Sequence, residues 1–458
     1  MTFDGVFTLL PPIITIIIAV WRRSAIGALA FGLWLTHALI SNGNPFSGFI
    51  GSVNGVVESL SYQRNMQIIF FSLLIGGMIE LMRSSGGISA FINWLNSRNL
   101  VKGKKSAGVI PTLTGSLIFT DTNLSMFCGG MASQTLFDKY KMGRARLAYL
   151  LDSTCSPVSM LVLINGWGAY VLSLLEAQSV QQPVSVLVDT LLFNFYCWLA
   201  LILAWFTALS SRVYGPMAKD TGNIVDSTKT GFMTDPETNG KARYLAIPLL
   251  LLVSVALFLL WWTGNGDLRK GAGAFSVMWA VISAFIVLLL MVRADDSMKW
   301  REIISNSLVG FRKLLPVVVV LVLSIAFGDA VTDFGTGLYV SELVSADFPG
   351  WAIAPAIFIA ACVMSFTTGT SWGTFAVLIP IAIPISSATG LPPALLVSAV
   401  LSGGVFGDHA SPISDSTIVA SMASGCDHFE HVKTQFPYAV FTAVISLLLF
   451  TGVSFVYL

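Results

Sequence analysis

The stretch "VFGDHASPISDSTIVAS" (residues 405–421) carries two Asp, one His, a Pro and five Ser or Thr between two long apolar runs. Of the 458 residues, 55% are hydrophobic and 11% are charged, against roughly 25% charged in soluble domains. The mean hydropathy is +0.79. This composition predicts a polytopic membrane protein. The stretch then lies at membrane depth, where an ionisable side chain costs about 2.5–3.5 kcal/mol and indicates a functional site.

The net charge and the cysteines argue against several classes of function. The formal net charge is +1, so no nucleic-acid partner is expected. The five Cys show no CxxC spacing, and neither a metal centre nor a disulfide framework is predicted. We expect no cofactor. An intramembrane hydrolase built from Asp408, His409 and Ser411 is disfavoured because residues this close in sequence rarely converge as a triad. A channel is disfavoured because the polar residues are confined to breaks in the apolar runs.

Ten apolar stretches have the length of about 20 residues that a spanning helix needs. They are 6–21, 24–41, 66–82, 147–175, 184–210, 244–262, 272–292, 314–334, 394–426 and 437–457. Two more, 107–136 and 352–388, are interrupted by "FTDTN" and "SFTTGTSWGT". Each half has about 13 residues, a helix of only about 20 Å, so we predict re-entrant hairpins sheltered by protein. The predicted fold class is an all-α polytopic membrane protein with about ten transmembrane helices plus two re-entrant hairpins.

The basic residues define the predicted orientation. When each hairpin returns to its own side, all but three of the 25 Lys and Arg lie on one face, the exceptions being Arg64, Arg269 and Lys270. By the positive-inside rule this face is cytoplasmic. We therefore expect a cytoplasmic linker at 212–243 and both termini outside.

The two halves of the chain resemble each other. "SLSYQR" at 59–64 matches "SLVGFR" 248 residues later, "FTDTN" corresponds to "FTTGT", and "DSTCSPVS" at 152–159 corresponds to "GDHASPIS" at 407–414. Each half, 1–211 and 244–458, holds five spans and one hairpin. An odd number of spans inverts the second half in the membrane, so the first hairpin enters from the cytoplasm and the second from outside. Glu80 then corresponds to Asp329.

Inverted halves with paired interruptions are typical of secondary transporters whose site lies at the bilayer midplane. The sodium candidates are the carboxylates of Asp121, Asp152, Asp408 and Asp415, which either a cation or a proton neutralises. Further candidates for contact with an ion or substrate are Thr120, Thr122, Asn123, Ser153, Ser156, Thr367, Thr368, Thr370, Ser371, His409, Ser411 and Ser416. The alternative for the hydroxyl groups is a bond to their own helix backbone. His409 is a candidate proton carrier or pH sensor. The alternative is that it caps the broken backbone.

Four further residues receive an interpretation. Glu80 and Asp329 belong to a proton path, form a structural pair or occupy helix-end positions. His428 and His431 have a spacing that also suits a metal, but we interpret "CDHFEHVK" (426–433) as a solvated helix cap at the cytoplasmic end.

The motif "GDHASPISDSTIVAS", followed by "GCDHFEHVKTQFPYA" and preceded by "TGTSWGTF", resembles the NhaC family of sodium/proton antiporters. The resemblance implies an inverted-repeat fold with a scaffold and a mobile, elevator-type transport domain, often dimeric, in the bacterial cytoplasmic (inner) membrane. It implies binding of sodium by Asp408, Ser411, Asp415 and the matching hairpin positions. The expected function is sodium/proton antiport. The alternative is sodium- or proton-coupled transport or exchange of a small organic anion, of the malate/lactate type, or of an amino acid. The family usually has Cys or a similar small residue where Ala410 stands, a departure of little consequence.

Overall fold

The computed structural model describes residues 5–22, 24–87, 90, 103–119, 122–210, 212–219, 240–336, 339 and 349–457. These residues form α-helices and short 3₁₀ turns, with no β-strand among them. In the first half the helices are α1 (Leu10–Arg22), α2 (Ala25–Ile40), α3 (Pro45–Ser61), α4 (Gln63–Ser84), α5 (Lys104–Leu117), α6 (Thr122–Lys139), α7 (Arg144–Leu161), α8 (Gly166–Ala177), α9 (Pro183–Phe193) and α10 (Phe195–Ser210). In the second half they are α11 (Arg243–Thr263), α12 (Gly273–Ala294), α13 (Trp300–Asp333), α14 (Ile353–Thr368), α15 (Ser371–Thr389), α16 (Pro393–Ala410), α17 (Asp415–Ser424) and α18 (His428–Val456).

The number of apolar helices agrees with a multi-pass membrane protein. Within the described ranges, eight helices are long and apolar enough to cross a membrane, or up to eleven if each of three bent helix pairs is one span. Each of the ten predicted spans coincides with one helix or with two consecutive helices. The helix α3 was not predicted. Asn44 caps its first turn by accepting from the amides of Phe46 and Ser47, and Pro45 occupies its first position.

The stretch 107–136 forms a helical hairpin. Ser125 on α6 donates from Oγ to the carbonyl oxygen of Gly115 on α5, at 3.2 Å. A Cβ on Gly129 would lie 3.4 Å from the carbonyl oxygen of Pro111, so the two helices continue side by side away from the turn. Because residues earlier on α5 contact residues later on α6, the two helices are antiparallel.

The stretch 352–388 also forms a helical hairpin. Both arms pack against α16, where Ser365 on α14 donates to the carbonyl oxygen of Gly404 at 2.6 Å. The chain turns at Gly369, whose φ of +69° lies in the left-handed region that glycine adopts at low cost. The predicted arm length of about 13 residues is wrong for this hairpin. Residues Gly350–Thr368 and Ser371–Thr389 each span 19 residues, because the polar residues 365–368 and 371–374 belong to the two helices and only Gly369 and Thr370 separate them.

Each hairpin lies beside a helix pair that is broken near its middle. The pair α7 and α8 is bent by 44°, and the pair α16 and α17 by 47°. Phe119, at the turn of the first hairpin, accepts from Nδ2 of Asn165 at the break between α7 and α8, at 2.9 Å. At the second hairpin, Ser371 donates to Asp408 just before the break between α16 and α17, at 2.9 Å. The fold thus brings each polar turn to the polar break of the same half.

The helices α4 and α13 belong to different halves and pack against each other. They cross at Gly76 and Gly310, where a Cβ on Gly310 would lie only 2.2 Å from the carbonyl oxygen of Gly76. Only glycine permits this approach, since the obstacle is backbone. The large buried apolar cluster of the chain extends from these helices to α16.

Candidate ion-binding site

One cavity of about 350 Å³ lies where the two hairpin turns and the α16–α17 break meet. We call it the first cavity. It is lined by Gly76, Ile79, Glu80, Thr122, Asn123, Trp167, Gly310, Lys313, Leu314, Val317, Thr370, Trp372, Asp408, Asp415 and Ser416. Its lining combines two carboxylates and several hydroxyl or amide groups on one side with an ion pair on the other. Six of the predicted site residues are among these lining residues.

Asp408 occupies the last turn of α16 and is 2% exposed. Both of its carboxylate oxygens accept hydrogen bonds, Oδ2 from Ser371 at 2.9 Å and Oδ1 from Ser414. Ser414 also lies 3.1 Å from Ser416, hydroxyl oxygen to hydroxyl oxygen. A hydroxyl group that donates its proton keeps lone pairs for another partner. The carboxylate is therefore surrounded by oxygen atoms able to contribute to a cation site.

Asp415 begins α17 on the other side of the break and lines the same cavity. Its Oδ1 accepts from the backbone amide of Ser416, at 3.0 Å. From the first hairpin, Thr122 and Asn123 reach the cavity, and Thr122 donates to Ser159 at 3.2 Å. Since α6, α15 and α17 all begin at this cavity, three helix N-termini with positive dipole ends lie at its wall.

Asp152 is buried behind the cavity on α7. Its Oδ2 accepts from Nε2 of Gln435 at 2.6 Å and from Thr417 at 3.3 Å, and Nε2 of His431 lies 3.5 Å away. Within the described structure, Asp152 Oδ1 and both ring nitrogens of His431 have no hydrogen-bond partner. Thr417 also donates to the backbone carbonyl of Asp408, at 2.9 Å. The hydroxyl group of Thr417 thereby links the carboxylate of Asp152 to the backbone carbonyl of Asp408.

Two predicted residues, His409 and Ser411, lie at the break between α16 and α17 but do not line the first cavity. His409 is buried against Tyr196, whose hydroxyl lies 3.1 Å from Nδ1, and its carbonyl oxygen accepts from Gln435 at 2.8 Å. Ser411 is fully buried, and its Oγ accepts from the amide of Ile413 at 3.3 Å. The observed role of Ser411 is to cap the broken backbone.

Several other predicted residues do not line the first cavity. Thr367 and Thr368 donate to the carbonyl oxygens of Val363 and Met364 in their own helix, which is the alternative that the sequence left open. Ser153 and Ser156 are buried on α7. The predicted candidates Thr120 and Asp121 lie outside the described residues.

The prediction of a solvated cap at 426–433 is wrong for its two histidines. His431 is fully buried beside Asp152. His428 is partly buried, with Nε2 at 2.6 Å from the carbonyl oxygen of Pro412 and Nδ1 at 3.1 Å from Ser421. The apolar run in the sequence begins at 437. The helix α18 itself begins at His428 and continues through Pro437, so both histidines belong to a packed helix. No group of three or more His, Cys, Asp or Glu suited to a metal is found in the part of the chain that the structure describes.

Opposite the two aspartates, the first cavity is lined by an ion pair of Glu80 and Lys313. The repeat singled out Glu80 but not Lys313. Glu80 is 5% exposed and accepts from Nζ of Lys313 at 2.7 Å and from Arg83. Asp329, its expected counterpart, lines a different cavity. Glu80 and Asp329 therefore do not form a structural pair.

The sequence reasoning missed both tryptophans of the cavity. Trp167 and Trp372 lie with ring centroids 5.4 Å apart, and Tyr170 packs on Trp372 at 4.7 Å. Trp372 follows the hairpin turn directly, and Trp167 follows the α7–α8 break. The signal was an aromatic residue next to each polar interruption.

Residues 369–373 read GTSWG and match the GxSxG pattern of hydrolase nucleophile elbows. A nucleophile elbow is a turn from a strand to a helix, whereas this turn joins the helices α14 and α15. Ser371 donates to a carboxylate, not to a histidine base. The geometry gives no support to a hydrolase.

The fold and the site define a polytopic membrane transporter. The fold is similar to that of the YdaH transporter of Alcanivorax borkumensis, with a TM-score of 0.60, 13% identity, and coverage of 96% of this chain and 98% of that one. Residues 147–453 match the Na⁺/H⁺ antiporter family. The chain belongs to this family, which confirms the resemblance noted in the sequence and the prediction of a transporter instead of an enzyme.

Three curated relatives are similar to the chain over different lengths. A protein of Haemophilus influenzae, described as uncharacterized, is 30% identical over 99% of this chain and 92% of its own length. The malate-2H⁺/Na⁺-lactate antiporter of Bacillus subtilis is 36% identical over 38% of this chain and 37% of its own. The Na⁺/H⁺ antiporter NhaC of Alkalihalophilus pseudofirmus is 34% identical over 22% of both chains.

Proposed function

We propose that the chain exchanges sodium for protons across the bacterial cytoplasmic (inner) membrane, and that sodium binds to Asp408 and Asp415 in the first cavity. The observation that carries this proposal is the shared cavity, in which two carboxylates from both sides of a broken helix meet the turns of both hairpins. Hard cations prefer oxygen ligands such as carboxylates, hydroxyl groups and freed carbonyls. A carboxylate that has bound a proton no longer attracts sodium. Competition for the same groups is therefore sufficient to couple the two ions in opposite directions.

The proton pathway that we propose includes Asp152. This carboxylate has His431 at 3.5 Å and is connected to the backbone of Asp408 through Thr417. Histidine is the side chain whose ordinary pKa lies closest to neutral pH, so a carboxylate and histidine pair suits proton uptake and release. A change of charge at Asp152 therefore acts on the backbone carbonyl of Asp408 through the hydroxyl group of Thr417.

We further propose that 1–211 and 244–458 are inverted repeats, joined by a cytoplasmic linker at 212–243, with both termini outside. The similar bends of 44° and 47° in the two broken pairs support this reading. So does the contact of each hairpin with the broken pair of its own half. In the proposed mechanism, the hairpins and broken pairs move as one body against a scaffold that includes α4 and α13. Alternating access in inverted-repeat transporters is largely such a rigid-body movement. Assembly as a homodimer is part of this proposal.

The test uses purified full-length protein in liposomes that contain a pH-sensitive dye. Addition of sodium should move protons in the wild type without any organic solute. Asp408→Asn should abolish this movement, because an amide has neither the charge nor the exchangeable proton. The matched control is Asp296→Asn, which removes a carboxylate that is 85% exposed outside the cavity. Sodium-driven proton movement at the wild-type rate in Asp408→Asn would remove that residue from the site.

A second candidate function is sodium- or proton-coupled exchange of a small organic anion or amino acid. It is favoured by the size of the first cavity, about 350 Å³, which exceeds the need of a bare sodium ion. The two tryptophans offer an apolar surface, and Lys313 with the helix N-termini offers positive charge to a carboxylate. The malate/lactate antiporter among the relatives also motivates this candidate. The same liposomes decide between the two functions: a pH change that requires malate, lactate or an amino acid favours the second.

A further inference from the structure

A smaller cavity, of about 60 Å³, adjoins the first cavity and is lined mainly by apolar and aromatic side chains. We call it the apolar cavity. The residues that line both cavities are Ile79, Trp167, Leu314, Val317 and Trp372. From these shared residues the apolar cavity extends along α4 to Ile75 and Phe71. No charged side chain is among the described residues that line it. A charged cavity and an apolar one therefore lie side by side.

The apolar cavity is suited to an apolar group. Its wall includes the packed rings of Trp167, Tyr170 and Trp372, and the hydroxyl group of Tyr170 donates to the carbonyl oxygen of Trp372 at 3.3 Å. Cavities with apolar walls stay dry and take apolar ligands, because water finds few hydrogen-bond partners there. Burial of a side chain of the size of leucine or methionine strengthens binding by about tenfold to a hundredfold.

The first cavity supplies charges of both signs to a ligand. The carboxylate of Asp415 lies at its wall, and Lys313 lies on the opposite side. The helices α6 and α15 begin at the same cavity, next to Thr122 and Thr370. A helix N-terminus attracts a carboxylate, and a carboxylate side chain attracts an ammonium group. The amino group and the carboxylate of an α-amino acid therefore each have a complementary partner in the first cavity.

The distance between the two cavities corresponds to the length of a side chain. Ile75, in the apolar cavity, and Ile79, in both cavities, are one turn apart on α4, roughly 6 Å along the helix axis. A ligand whose charged end lies in the first cavity can therefore place a leucine or methionine side chain in the apolar cavity. The second carboxylate of malate or the side-chain ammonium group of lysine would enter the same space without a polar partner, which is strongly unfavourable.

From this arrangement we infer that the two cavities together bind an α-amino acid with an apolar side chain, the charged end in the first cavity and the side chain in the apolar cavity. The inference rests on the second candidate function proposed above, coupled exchange of an organic solute, and specifies the class of that solute. It separates apolar amino acids from malate, from lactate and from basic amino acids.

Gly166 keeps the apolar cavity open. It is the first residue of α8 and belongs to the lining of the apolar cavity. A Cβ added there would have one neighbour within 4 Å, Cγ2 of Ile75 at 4.0 Å, so the space beside it is free. Ile75 and Gly166 also line a neighbouring void of about 30 Å³. A larger side chain at 166 would therefore occupy the space that the ligand's side chain needs, without a clash against the backbone.

The experiment measures equilibrium binding of radioactive leucine to the purified full chain in nanodiscs, with sodium present. The wild type should bind leucine, and unlabelled methionine should compete with it at similar concentrations. Alanine should compete only at a concentration about tenfold or more higher, because it has little side chain to bury. Malate, lactate and lysine should not displace leucine in the range where methionine does. Absence of leucine binding, or competition by malate as effective as that by methionine, would overturn the inference.

Substitutions of Gly166 test the position of the side chain. Gly166→Leu should raise the half-saturating leucine concentration about tenfold or more, and its melting temperature should not fall, because leucine favours a helix over glycine. Gly166→Ala fills less of the space and should give an intermediate value; it decides the test if Gly166→Leu does not fold. The matched control is Gly452→Leu on α18, where an added Cβ has no neighbour within 4 Å and leucine should bind as in the wild type. Wild-type affinity for leucine in both Gly166 variants would overturn the role of the apolar cavity.

The outcome can be separated from that for sodium/proton exchange. Sodium-driven proton movement in liposomes without organic solute, together with no binding of leucine, would overturn this inference and leave the exchange of the two ions in place. Leucine binding that Gly166→Leu weakens, together with normal proton movement in Asp408→Asn, would sustain this inference and remove Asp408 from the sodium site.

Discussion

Substitution of Gly407 by Ala should loosen the hold of the second hairpin on the carboxylate of Asp408. Gly407 precedes Asp408 on α16, and a Cβ added there would lie 2.4 Å from the backbone nitrogen of Phe366 on α14. Ordinary van der Waals contact begins at 3.4 Å, so α14 must retreat by about 1.0 Å (3.4 − 2.4). The obstacle is backbone and cannot rotate away.

The expected magnitude follows from this shift. Overpacking a close contact costs typically about 1–3 kcal/mol of folding free energy. If the turn of the hairpin moves with α14, the distance from Ser371 Oγ to Asp408 Oδ2 grows from 2.9 Å to about 3.9 Å, beyond hydrogen-bond range. A hydrogen bond to a charged group contributes about 1.5–3 kcal/mol. We therefore expect a lower melting temperature and a half-saturating sodium concentration raised by about tenfold or more.

The assay combines thermal unfolding in detergent with sodium-driven proton movement in liposomes. The matched control is Gly452→Ala on α18, where an added Cβ has no neighbour within 4 Å. This control should unfold at the same or a slightly higher temperature, because Ala favours a helix over Gly by up to about 1 kcal/mol. Wild-type values of both the melting temperature and the sodium dependence in Gly407→Ala would refute the reasoning, since α14 would then have absorbed the methyl group without moving the turn.

Three further outcomes are expected. Gln435→Leu removes the donor to Asp152 Oδ2 and to the carbonyl oxygen of His409, so the free energy of unfolding should fall by about 1–3 kcal/mol; an unchanged denaturation midpoint would show that the bridge contributes nothing. Glu80→Gln leaves the charge of Lys313 facing the first cavity, and the sodium concentration for half-maximal transport should rise, whereas an unchanged value would exclude this electrostatic influence. Cysteines introduced into the linker at 215–240, in a background without other cysteines, should react only with reagent on the cytoplasmic side; labelling of intact cells by an impermeant reagent would overturn the orientation.

The helices and the polar turns were predictable from the sequence because both depend on local pattern. Apolar runs of sufficient length predict spanning helices, and the interruptions "FTDTN" and "SFTTGT" predict turns that lie close to the broken helices. The bounds were less accurate: the polar residues 365–368 and 371–374 belong to α14 and α15, and α18 begins at His428 and continues through Pro437. Neighbouring helices in a membrane protein re-satisfy the backbone groups that a proline frees.

The partners of Asp152 were not predictable in the same way. Gln435 and Thr417 lie 283 and 265 residues from Asp152 in the sequence, and their contact depends on how three helices rotate about their axes. One signal was present: His431 and Gln435 are four residues apart and so lie on the same face of α18. Polar residues that share one face of an apolar helix indicate an inward-facing surface.

The chemistry of the site and the integrity of the broken helix depend on the same side chains. A helix that ends inside a membrane leaves carbonyl oxygens without partners, and here Thr417 and Gln435 cap the carbonyl oxygens of Asp408 and His409. Both side chains also donate to Asp152. Gln435 Nε2 has one proton for each of its two acceptors, whereas Asp152 and the carbonyl oxygen of Asp408 share the single hydroxyl proton of Thr417. A proton or cation that changes the charge of Asp152 therefore alters the competition for Thr417. The loss of either donor from its carbonyl would destabilise the break beside Asp408. In the mechanism proposed here, binding at Asp152 would thereby change the free energy of the conformation that presents Asp408, which is the physical requirement for coupling two ions in one transporter.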